Sequence, residues 1–473
     1  MISLISSFAV LIIGYLVYGR FAERVFGPDE RQTPAIALND GVDCVPLKRW
    51  KSFLIQLLNI AGTGPIFGAL MGAVFGPIVF LWIILGSVFA GALHDYMSGM
   101  ISCRHGGASL AEFFGIYMGN GIKWAMRIFT ILLMILVGTV FITSPATLLA
   151  NLTPDSMSVV TWEIIIVIYY ILATLLPIDK LIGKLYPVFG AALMIMAFGI
   201  AGVLLFSNNY TIPEITLSSL HPTDLPAWPF MFITVACGAI SGFHATQSPM
   251  IAKCITSEKQ GRSIFYGAMI AESIIALVWA SAGVAFYSST NELNNALGTL
   301  GQSGVVYEIA TTMLGSLGGL LAIIGVVVCP ITSGDTAFRS ARLIIAECTN
   351  FEQKKFINRL IITIPLLVIS IILTRVDFNI LWRYFSWSNQ TLAMVTLWCI
   401  TAYFIKHGKY RFTSLISAVP AAFMSAVSLT YILMADEGFK INSGTAYPLG
   451  VAFALGCFAF YLFKLFRHKK QSA

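Results

Sequence analysis

The stretch Asn59-Ile-Ala-Gly-Thr-Gly-Pro-Ile-Phe-Gly-Ala-Leu70 places glycine, threonine and proline at the centre of a run apolar enough to cross a membrane. Glycine and proline both weaken a helix. Inside a bilayer, the backbone can leave the helix only where it is buried in protein or lines a wet cavity. The stretch therefore predicts a membrane helix that is interrupted near the midplane.

The composition of the whole chain indicates an integral membrane protein. Of its 473 residues, 57% are hydrophobic and only 11% are charged, and the mean hydropathy is +0.83. A soluble domain carries about twice that share of charged residues. Apolar stretches of about 20 residues predict an all-α polytopic fold of about thirteen transmembrane helices. The predicted spans are residues 2–18, 52–74, 77–101, 124–150, 161–177, 187–206, 229–252, 264–288, 308–334, 358–374, 381–405, 413–434 and 446–466.

The distribution of lysine and arginine predicts how these spans are oriented, because cytoplasmic loops collect basic residues. If residues 20–51 are cytoplasmic and the spans alternate, only Arg375, Arg383 and Lys440 of the 29 basic residues lie outside. The basic residues are then topological anchors, and they account for the net charge of +7 without a nucleic-acid partner. This assignment predicts an external amino terminus and a cytoplasmic carboxyl terminus.

A second interruption, Ser241-Gly-Phe-His-Ala-Thr-Gln-Ser-Pro249, lies five helices after the first. Because five is odd, the two interrupted helices run in opposite directions. The pattern predicts two inverted five-helix repeats, at 52–206 and 229–405, each opened by a broken helix. A first helix with its linker (1–51) precedes them, and two helices with a basic tail (412–473) follow.

Paired broken helices are typical of the binding site of a secondary transporter. The half-helix beginning near Pro65 would present free N–H groups to a carboxylate, and the half ending near Ala61 would present carbonyls to a cation. The alternative is that the glycines only permit close packing and that the proline only kinks the helix. The predicted substrate-binding residues are Asn59, Gly62, Thr63, Gly64, Pro65, Ser241, Gly242, Phe243 and His244.

Ionisable residues inside spans are candidates for ion coupling, because a charge in a bilayer normally faces a partner or a pathway. Glu272 is the first choice for the proton, roughly 12 Å from the inner end of its helix at 1.5 Å per residue. A carboxyl group paired with Lys253, Lys259 or Arg262 is the alternative. His244 could bind substrate, relay a proton or be structural.

Two further groups are candidates for coupling. Asp95 and Asp335 lie near the inner ends of their helices, and Asp335 can pair with Arg339 four residues on, so a structural role competes with a relay. Thr332 and Ser333 offer hydroxyl oxygens, which suit a hard cation such as Na⁺. In transporters with two inverted five-helix units, hydroxyls of the eighth helix can meet carbonyls of the first broken helix at a sodium site. Ordinary capping chemistry is the alternative for these hydroxyls.

Seven short stretches together resemble the carbon starvation protein A (CstA) family of bacterial inner-membrane transporters. They are Asp40-Gly-Val-Asp-Cys-Val-Pro46, Ile60-Ala-Gly-Thr-Gly-Pro65, Leu93-His-Asp95, Ser109-Leu-Ala-Glu112, Ser241-Gly-Phe-His-Ala245, Ser333-Gly-Asp-Thr-Ala-Phe-Arg-Ser-Ala-Arg342 and Ser388-Asn-Gln-Thr-Leu-Ala393. The resemblance implies uptake of peptides or of pyruvate, with proton coupling for the pyruvate-type members. It also implies a fold related to the amino acid-polyamine-organocation superfamily, a LeuT-like core of two inverted five-helix repeats. The chain is shorter than the larger members, and Cys44 stands where an aromatic residue is expected.

The sequence therefore predicts a secondary active importer of peptides or pyruvate that works by alternating access and is coupled to protons, with no cofactor, no metal and no enzymatic activity. A sodium-coupled amino-acid or organic-acid symporter is the alternative. No G-x-x-x-x-G-K-[ST] phosphate loop is present to bind ATP. The segment Asp40 to Asp43 is either part of an inner gate or an ordinary turn. A channel, and an enzyme using His94, Asp95 and His244, are the alternative classes.

Overall fold

The computed structural model describes residues 1–39, 44–174, 178–353, 355–408 and 412–471, without the side chains of 178–187 and 468–471. Within these ranges the regular structure is helical and contains no strand. The predicted gate segment, Asp40 to Asp43, lies outside the described residues.

The helices longer than one turn are numbered here in chain order. They are α1 (Ile2–Phe26), α2 (Arg49–Ile60), α3 (Gly64–Ala73), α4 (Ile78–Arg104), α5 (Leu110–Met118), α6 (Asn120–Leu152), α7 (Val159–Ala173), α8 (Ile178–Phe206), α9 (Ala227–Thr234), α10 (Gly242–Ala252), α11 (Glu258–Phe286), α12 (Thr290–Ile323), α13 (Cys329–Thr349), α14 (Phe356–Leu373), α15 (Phe378–His407), α16 (Leu415–Met434) and α17 (Ser443–Gln471). A π-helical turn, Ile324–Val328, joins α12 to α13.

The described residues contain nine helical runs long and apolar enough to cross a membrane, or ten when the bent pair of α2 and α3 counts as one span. The remaining three predicted spans fall on α7, on the pair of α9 and α10, and on α15. The prediction of an all-α polytopic membrane protein is confirmed. The count of thirteen, the inverted repeat and the domain boundaries stay predictions.

The first break lies where the glycine-proline stretch predicts it. Helix α2 ends at Ile60 and α3 begins at Gly64, and their axes differ in direction by 49°. Ala61 leaves the helical region with φ −87° and ψ 58°. Pro65 stands in the first turn of α3, where a residue without an N–H costs no hydrogen bond.

The second break is longer, because seven residues, 235–241, separate α9 from α10. Gly238 within it has φ 90°, a conformation that side chains disfavour. A Cβ atom at Gly238 would also lie 2.5 Å from the Cβ atom of Ala276. Glycine is therefore required here by both conformation and space.

The two breaks pack directly against each other. A Cβ atom at Gly64 would lie 2.4 Å from Cβ and Sγ of Cys237, and one at Gly68 would lie 3.2 Å from the carbonyl oxygen of Thr234. The first-break glycines thus permit close packing of the two breaks as well as the interruption of the helix. Close packing was the sequence's alternative to a binding site, and its presence does not exclude such a site. Helices α4 and α11, which flank this contact, are mostly buried, whereas α14 and α17 are mostly exposed.

Candidate functional site

A buried carboxylate joins the second break to α4. Asp95 Oδ2 lies 2.9 Å from Nδ1 of His244, and Asp95 Oδ1 lies 2.8 Å from Nδ1 of His94. All three side chains have no solvent-exposed surface. When Asp95 is ionised, its carboxylate can only accept hydrogen bonds, and both imidazoles then donate to it through Nδ1.

Glu272 on α11 extends this group from the other side of the imidazole. Its Oε2 atom lies 3.5 Å from Nε2 of His244, and its side chain is also fully buried. The predicted alternative, a pairing with a basic residue of the neighbouring loop, is not observed among the described residues: Lys259 pairs with Glu30, and Arg262 with Glu23. Asp95, His244 and Glu272 are called the carboxylate–imidazole chain below.

Cys237 connects the carboxylate–imidazole chain to the first break. Its Sγ atom lies within 4.8 Å of ligand atoms of His244 and Glu272, and its side chain contacts Gly64. A thiolate, an imidazole and a carboxylate are a donor set that transition metals accept, so these three residues could hold a metal ion. The absence of a metal stays a prediction.

Asn389 on α15 holds the start of α10, a role that the sequence reasoning missed. Its Oδ1 atom accepts hydrogen bonds from the backbone N–H of Phe243 at 2.9 Å and from Oγ of Ser241 at 3.1 Å. The only signal was the motif Ser388-Asn-Gln-Thr-Leu-Ala393, which was quoted for the family and given no role. Gly242 allows this contact, since a Cβ atom there would lie 2.6 Å from the carbonyl oxygen of Asn389.

The first break, by contrast, presents buried polar groups that have no partner. Gln56 and Asn59 lie three residues apart on one face of α2, and Thr63 lies in the break itself, directly before Gly64. Within the described residues, Gln56 Nε2 and Oε1, Asn59 Oδ1 and Thr63 Oγ1 make no hydrogen bond. Buried polar atoms are normally paired, so unpaired ones call for a water, ion or ligand. The sequence predicted Asn59 and Thr63 but not Gln56.

The backbone of the first break also has N–H groups without a hydrogen-bond partner. Ile66 and Phe67 both donate to the carbonyl of Thr63, whereas the N–H groups of Thr63 and Gly64 make no hydrogen bond within the described residues. Free N–H groups at the start of a helix form a natural site for an anion. These N–H groups lie at the end of the break where the sequence predicts a substrate carboxylate, and carboxylate binding stays a prediction.

The predicted sodium ligands are divided among different partners. Ser333 Oγ donates to the carbonyl of Leu58 in the first break at 3.1 Å. Thr332 Oγ1 donates to the carbonyl of Cys329 in its own helix at 2.7 Å. Asp335 pairs with Arg339 at 3.5 Å, as its spacing predicted. No ion pair among the described residues joins Asp335 to the carboxylate–imidazole chain.

A vestibule of about 380 Å³ lies between α3, α12 and α15. His221, Asn379 and Arg383 line it, and Trp382 forms its floor beside Phe67, with ring centroids 5.9 Å apart. Burial lowers the pKa of His221, so this imidazole is neutral at pH 7.

The opposite end of the bundle is closed by a buried ion pair. Glu258 is fully buried and accepts from Arg104 Nε at 3.1 Å and Nη2 at 3.0 Å, and from the backbone N–H of Asp29 at 3.1 Å. Arg104 also donates to Tyr403 at 3.0 Å and to the carbonyl of Gly27 at 2.7 Å. Removing either partner would leave the other as an uncompensated buried charge, so Arg104 and Glu258 depend on each other at this end of the bundle.

Several known proteins are similar to this chain. An uncharacterized membrane protein of Haemophilus influenzae is 43% identical over 340 residues, which are 61% of this chain and 92% of that protein. The peptide transporter CstA of Helicobacter pylori strain J99 is 29% identical over 343 residues, and the pyruvate/proton symporter BtsT of Escherichia coli K12 is 28% identical over 349. These two alignments cover 58% of this chain but only 49% and 47% of the transporters, so the chain spans about half their length.

A solved structure of a mutant manganese transporter of Eremococcus coleocola superposes with a TM-score of 0.55. It covers 91% of this chain and 98% of that protein at 13% identity, which shows a similar fold alone. The family model for carbon starvation protein CstA matches residues 1–164, 153–313 and 285–431. The motifs quoted from the sequence and these matches agree, and the chain is a member of the carbon starvation protein CstA family, a family of membrane transporters.

Proposed function

We propose that this transporter is a proton-coupled importer of a small carboxylate nutrient, a short peptide or a 2-oxo acid such as pyruvate, in the bacterial inner membrane. The observation that supports this most directly is the fully buried carboxylate–imidazole chain beside an unpaired polar break. Because the peptide and pyruvate transporters are about twice as long, their substrates are candidates here and not assignments.

The geometry of the carboxylate–imidazole chain is suited to the uptake of one proton. With Asp95 ionised and His244 donating to it through Nδ1, the Nε2 atom of neutral His244 faces Glu272 with a lone pair. With Glu272 ionised, the chain then carries two buried negative charges. One added proton between His244 and Glu272 leaves a single negative charge, which is far less costly away from water.

The first break is the proposed substrate site. The N–H groups of Thr63 and Gly64 would receive the substrate carboxylate, and Gln56 and Asn59 would hydrogen-bond to its other polar atoms. Cys237 lies between this break and the carboxylate–imidazole chain. A change in the protonation of His244 or Glu272 therefore acts on the wall of the substrate site, which couples the two ligands.

The vestibule and the Glu258 ion pair support alternating access. The vestibule at one end of the bundle is lined by Trp382, and the Arg104–Glu258 pair lies at the other end. If the topology predicted from the basic residues holds, the open end is external. The conformation is then the one that receives substrate from outside, and release requires the Arg104–Glu258 contact to separate.

Sodium coupling is the second candidate, and one observation favours it. Ser333 reaches the carbonyl of Leu58 beside the first break, which is the arrangement predicted for a sodium site. A sodium ion there would draw on the Ser333 hydroxyl and on carbonyls of the break.

The test is uptake of labelled pyruvate and of labelled alanylalanine into proteoliposomes of the purified chain. With sodium absent, an inward proton gradient should drive accumulation of one of these two substrates. Unlabelled substrate inside the liposomes should accelerate entry of the labelled substrate, which is the counterflow expected of a carrier. Accumulation that requires an inward sodium gradient would replace the proton proposal. Flux that neither saturates nor shows counterflow would indicate a channel and contradict the importer.

A further inference from the structure

A groove of about 1110 Å³ lies between α5, α15 and α17, away from the candidate transport site. It is called the lateral groove below. Its apolar wall includes Ile122, Phe453 and Phe460, and its basic end includes Lys406, Lys464 and Arg467. Neither the sequence motifs nor the proposed transport function uses these residues.

The polarity of the lateral groove changes along its length. Phe453 and Arg467 on α17 are fourteen residues apart, which is about 21 Å along a helix. One leaflet contributes about 15 Å of hydrocarbon. A single wall of α17 therefore reaches from the acyl region of a leaflet to its headgroups, with the cations at the headgroup end.

The positive charge at this end is not neutralised by the protein. None of the ion pairs in the described part of the chain includes Lys406, Lys464 or Arg467. Lys406 lies 5.8 Å from the ring centre of Tyr117, and Lys464 lies 5.4 Å from that of Phe460. In both contacts the atom over the ring is the ammonium Nζ, and such a cation–π contact leaves the N–H donors of the ammonium group available to an anion.

The start of α6 adds a second source of positive potential. Gly119 precedes this 33-residue helix and supplies no side-chain cap, and Ile122 in its first turn lines the lateral groove. The N–H groups at an uncapped helix start favour a negative ligand. The ends of α15 and α17 contribute partial negative charge, which three full cations outweigh.

We infer that the lateral groove binds one anionic phospholipid, whose phosphate lies among Lys406, Lys464 and Arg467 and whose acyl chain follows α17. Basic pockets between membrane helices are suited to such headgroups. The inference is independent of the transported substrate. A second copy of the chain is the competing occupant.

The first test measures retention of dioleoylphosphatidylglycerol by native mass spectrometry of the purified full-length chain, with dioleoylphosphatidylcholine as the neutral comparison. Wild type should retain one phosphatidylglycerol in preference to phosphatidylcholine. The triple variant K406Q/K464Q/R467Q should bind it at least about tenfold more weakly, because each cation near a headgroup contributes measurably. The control R20Q/R24Q/K48Q removes three exposed cations that belong to no described ion pair, and it should bind as wild type does. Equal retention of the two lipids by wild type, or equal loss in the two variants, would overturn the inference.

The second test keeps every cation and fills the acyl part of the lateral groove. A Cβ atom at Gly456 meets no atom within 4 Å, so Gly456→Phe can enter the groove without a clash at the backbone. It should lose phosphatidylglycerol, whereas Gly202→Phe, at an equally open glycine outside the groove, should not. Inorganic phosphate alone should not raise the unfolding temperature. A rise in the unfolding temperature with inorganic phosphate equal to the rise with phosphatidylglycerol would refute a lipid site. A dimer in light scattering that Gly456→Phe dissociates and Gly202→Phe does not would also refute it.

Discussion

The two helix breaks look alike in the sequence, but the hydrogen bonding of their polar groups differs in the fold. At the second break, Asn389 satisfies the start of α10 and His244 is held by Asp95. At the first break, Asn59 Oδ1 and Thr63 Oγ1 have no partner among the described residues. The second break also contains unpaired polar atoms, but they belong to ionisable groups, Nε2 of His244 and both carboxylate oxygens of Glu272, and to the amides of Asn389 and Gln247. The comparison favours the proposal that the second break serves ion coupling and the first break binds substrate.

The largest expected effect comes from removing the titrating end of the carboxylate–imidazole chain. Glu272→Gln keeps the shape but cannot exchange a proton with His244. Concentrative uptake should fall by roughly 100-fold, near the upper limit of usual coupling between two ligand sites, while exchange of substrate down its own gradient persists. Uptake under an imposed proton gradient, and counterflow without one, measure the two quantities.

The matched control for this variant is Asp335→Asn, which alters a buried carboxylate that pairs with Arg339 instead. It should keep the dependence of uptake on external pH, and Glu272→Gln should lose it. A pH profile of Glu272→Gln that matches wild type would remove Glu272 from the coupling role.

The next effect is a loss of stability at the second break. Asn389→Leu leaves the N–H of Phe243 and the hydroxyl of Ser241 without an acceptor. Each unsatisfied buried group costs about 1–3 kcal/mol, so the free energy of unfolding should fall by at least about that amount. Denaturant unfolding in a fixed detergent measures it.

The control for this variant is Asn151→Leu, at an exposed position near the end of α6, which should change the free energy of unfolding little. Substrate affinity of Asn389→Leu should stay close to wild type if the second break does not bind substrate. A large loss of affinity at unchanged stability would move the substrate to the second break.

The opposite pattern is expected at the first break. Thr63→Val replaces a hydroxyl that has no partner by a methyl group of the same shape. Substrate affinity should fall about tenfold, as for one lost hydrogen bond to a charged ligand. The unfolding temperature without substrate should stay the same or rise, because a buried unpaired polar atom is removed.

Saturation binding and thermal unfolding on the same preparation test this pair of outcomes. Thr130→Val is the matched control, since its buried hydroxyl also lacks a described partner but lies outside the predicted site. If Thr130→Val weakens substrate binding as much as Thr63→Val does, the first break has no special role.

The sequence was sufficient for the helices and the breaks, because these follow from local properties. Apolar runs fix the spans, and glycine with proline fixes the interruption between Ile60 and Gly64. The partners across the fold could not be predicted, since Asp95 and His244 are 149 residues apart and meet only through packing. A solvated or structural role was expected for Asp95 near an inner helix end, and the solvated role is wrong because the side chain is fully buried.

Gln56 and Cys237 were missed for the same reason. A glutamine in an amphipathic helix and a cysteine in an apolar run carry no local signal of function. Their importance depends on what lies opposite them, which is the empty polar face of the first break and the pair of His244 with Glu272.

The smallest effect separates the two coupling ions at the first break itself. Ser333→Ala removes one hydrogen bond to the carbonyl of Leu58, which should lower the free energy of unfolding by about 1 kcal/mol. If protons drive transport, gradient-driven uptake should change less than about twofold, because Ser333 touches neither His244 nor Glu272. If sodium drives it, the same variant should raise the sodium concentration needed for half-maximal uptake, since a ligand oxygen has been lost. The measurement is uptake as a function of sodium concentration in wild type and Ser333→Ala. It decides whether the unpaired oxygen atoms of the first break bind the substrate alone or bind a cation as well.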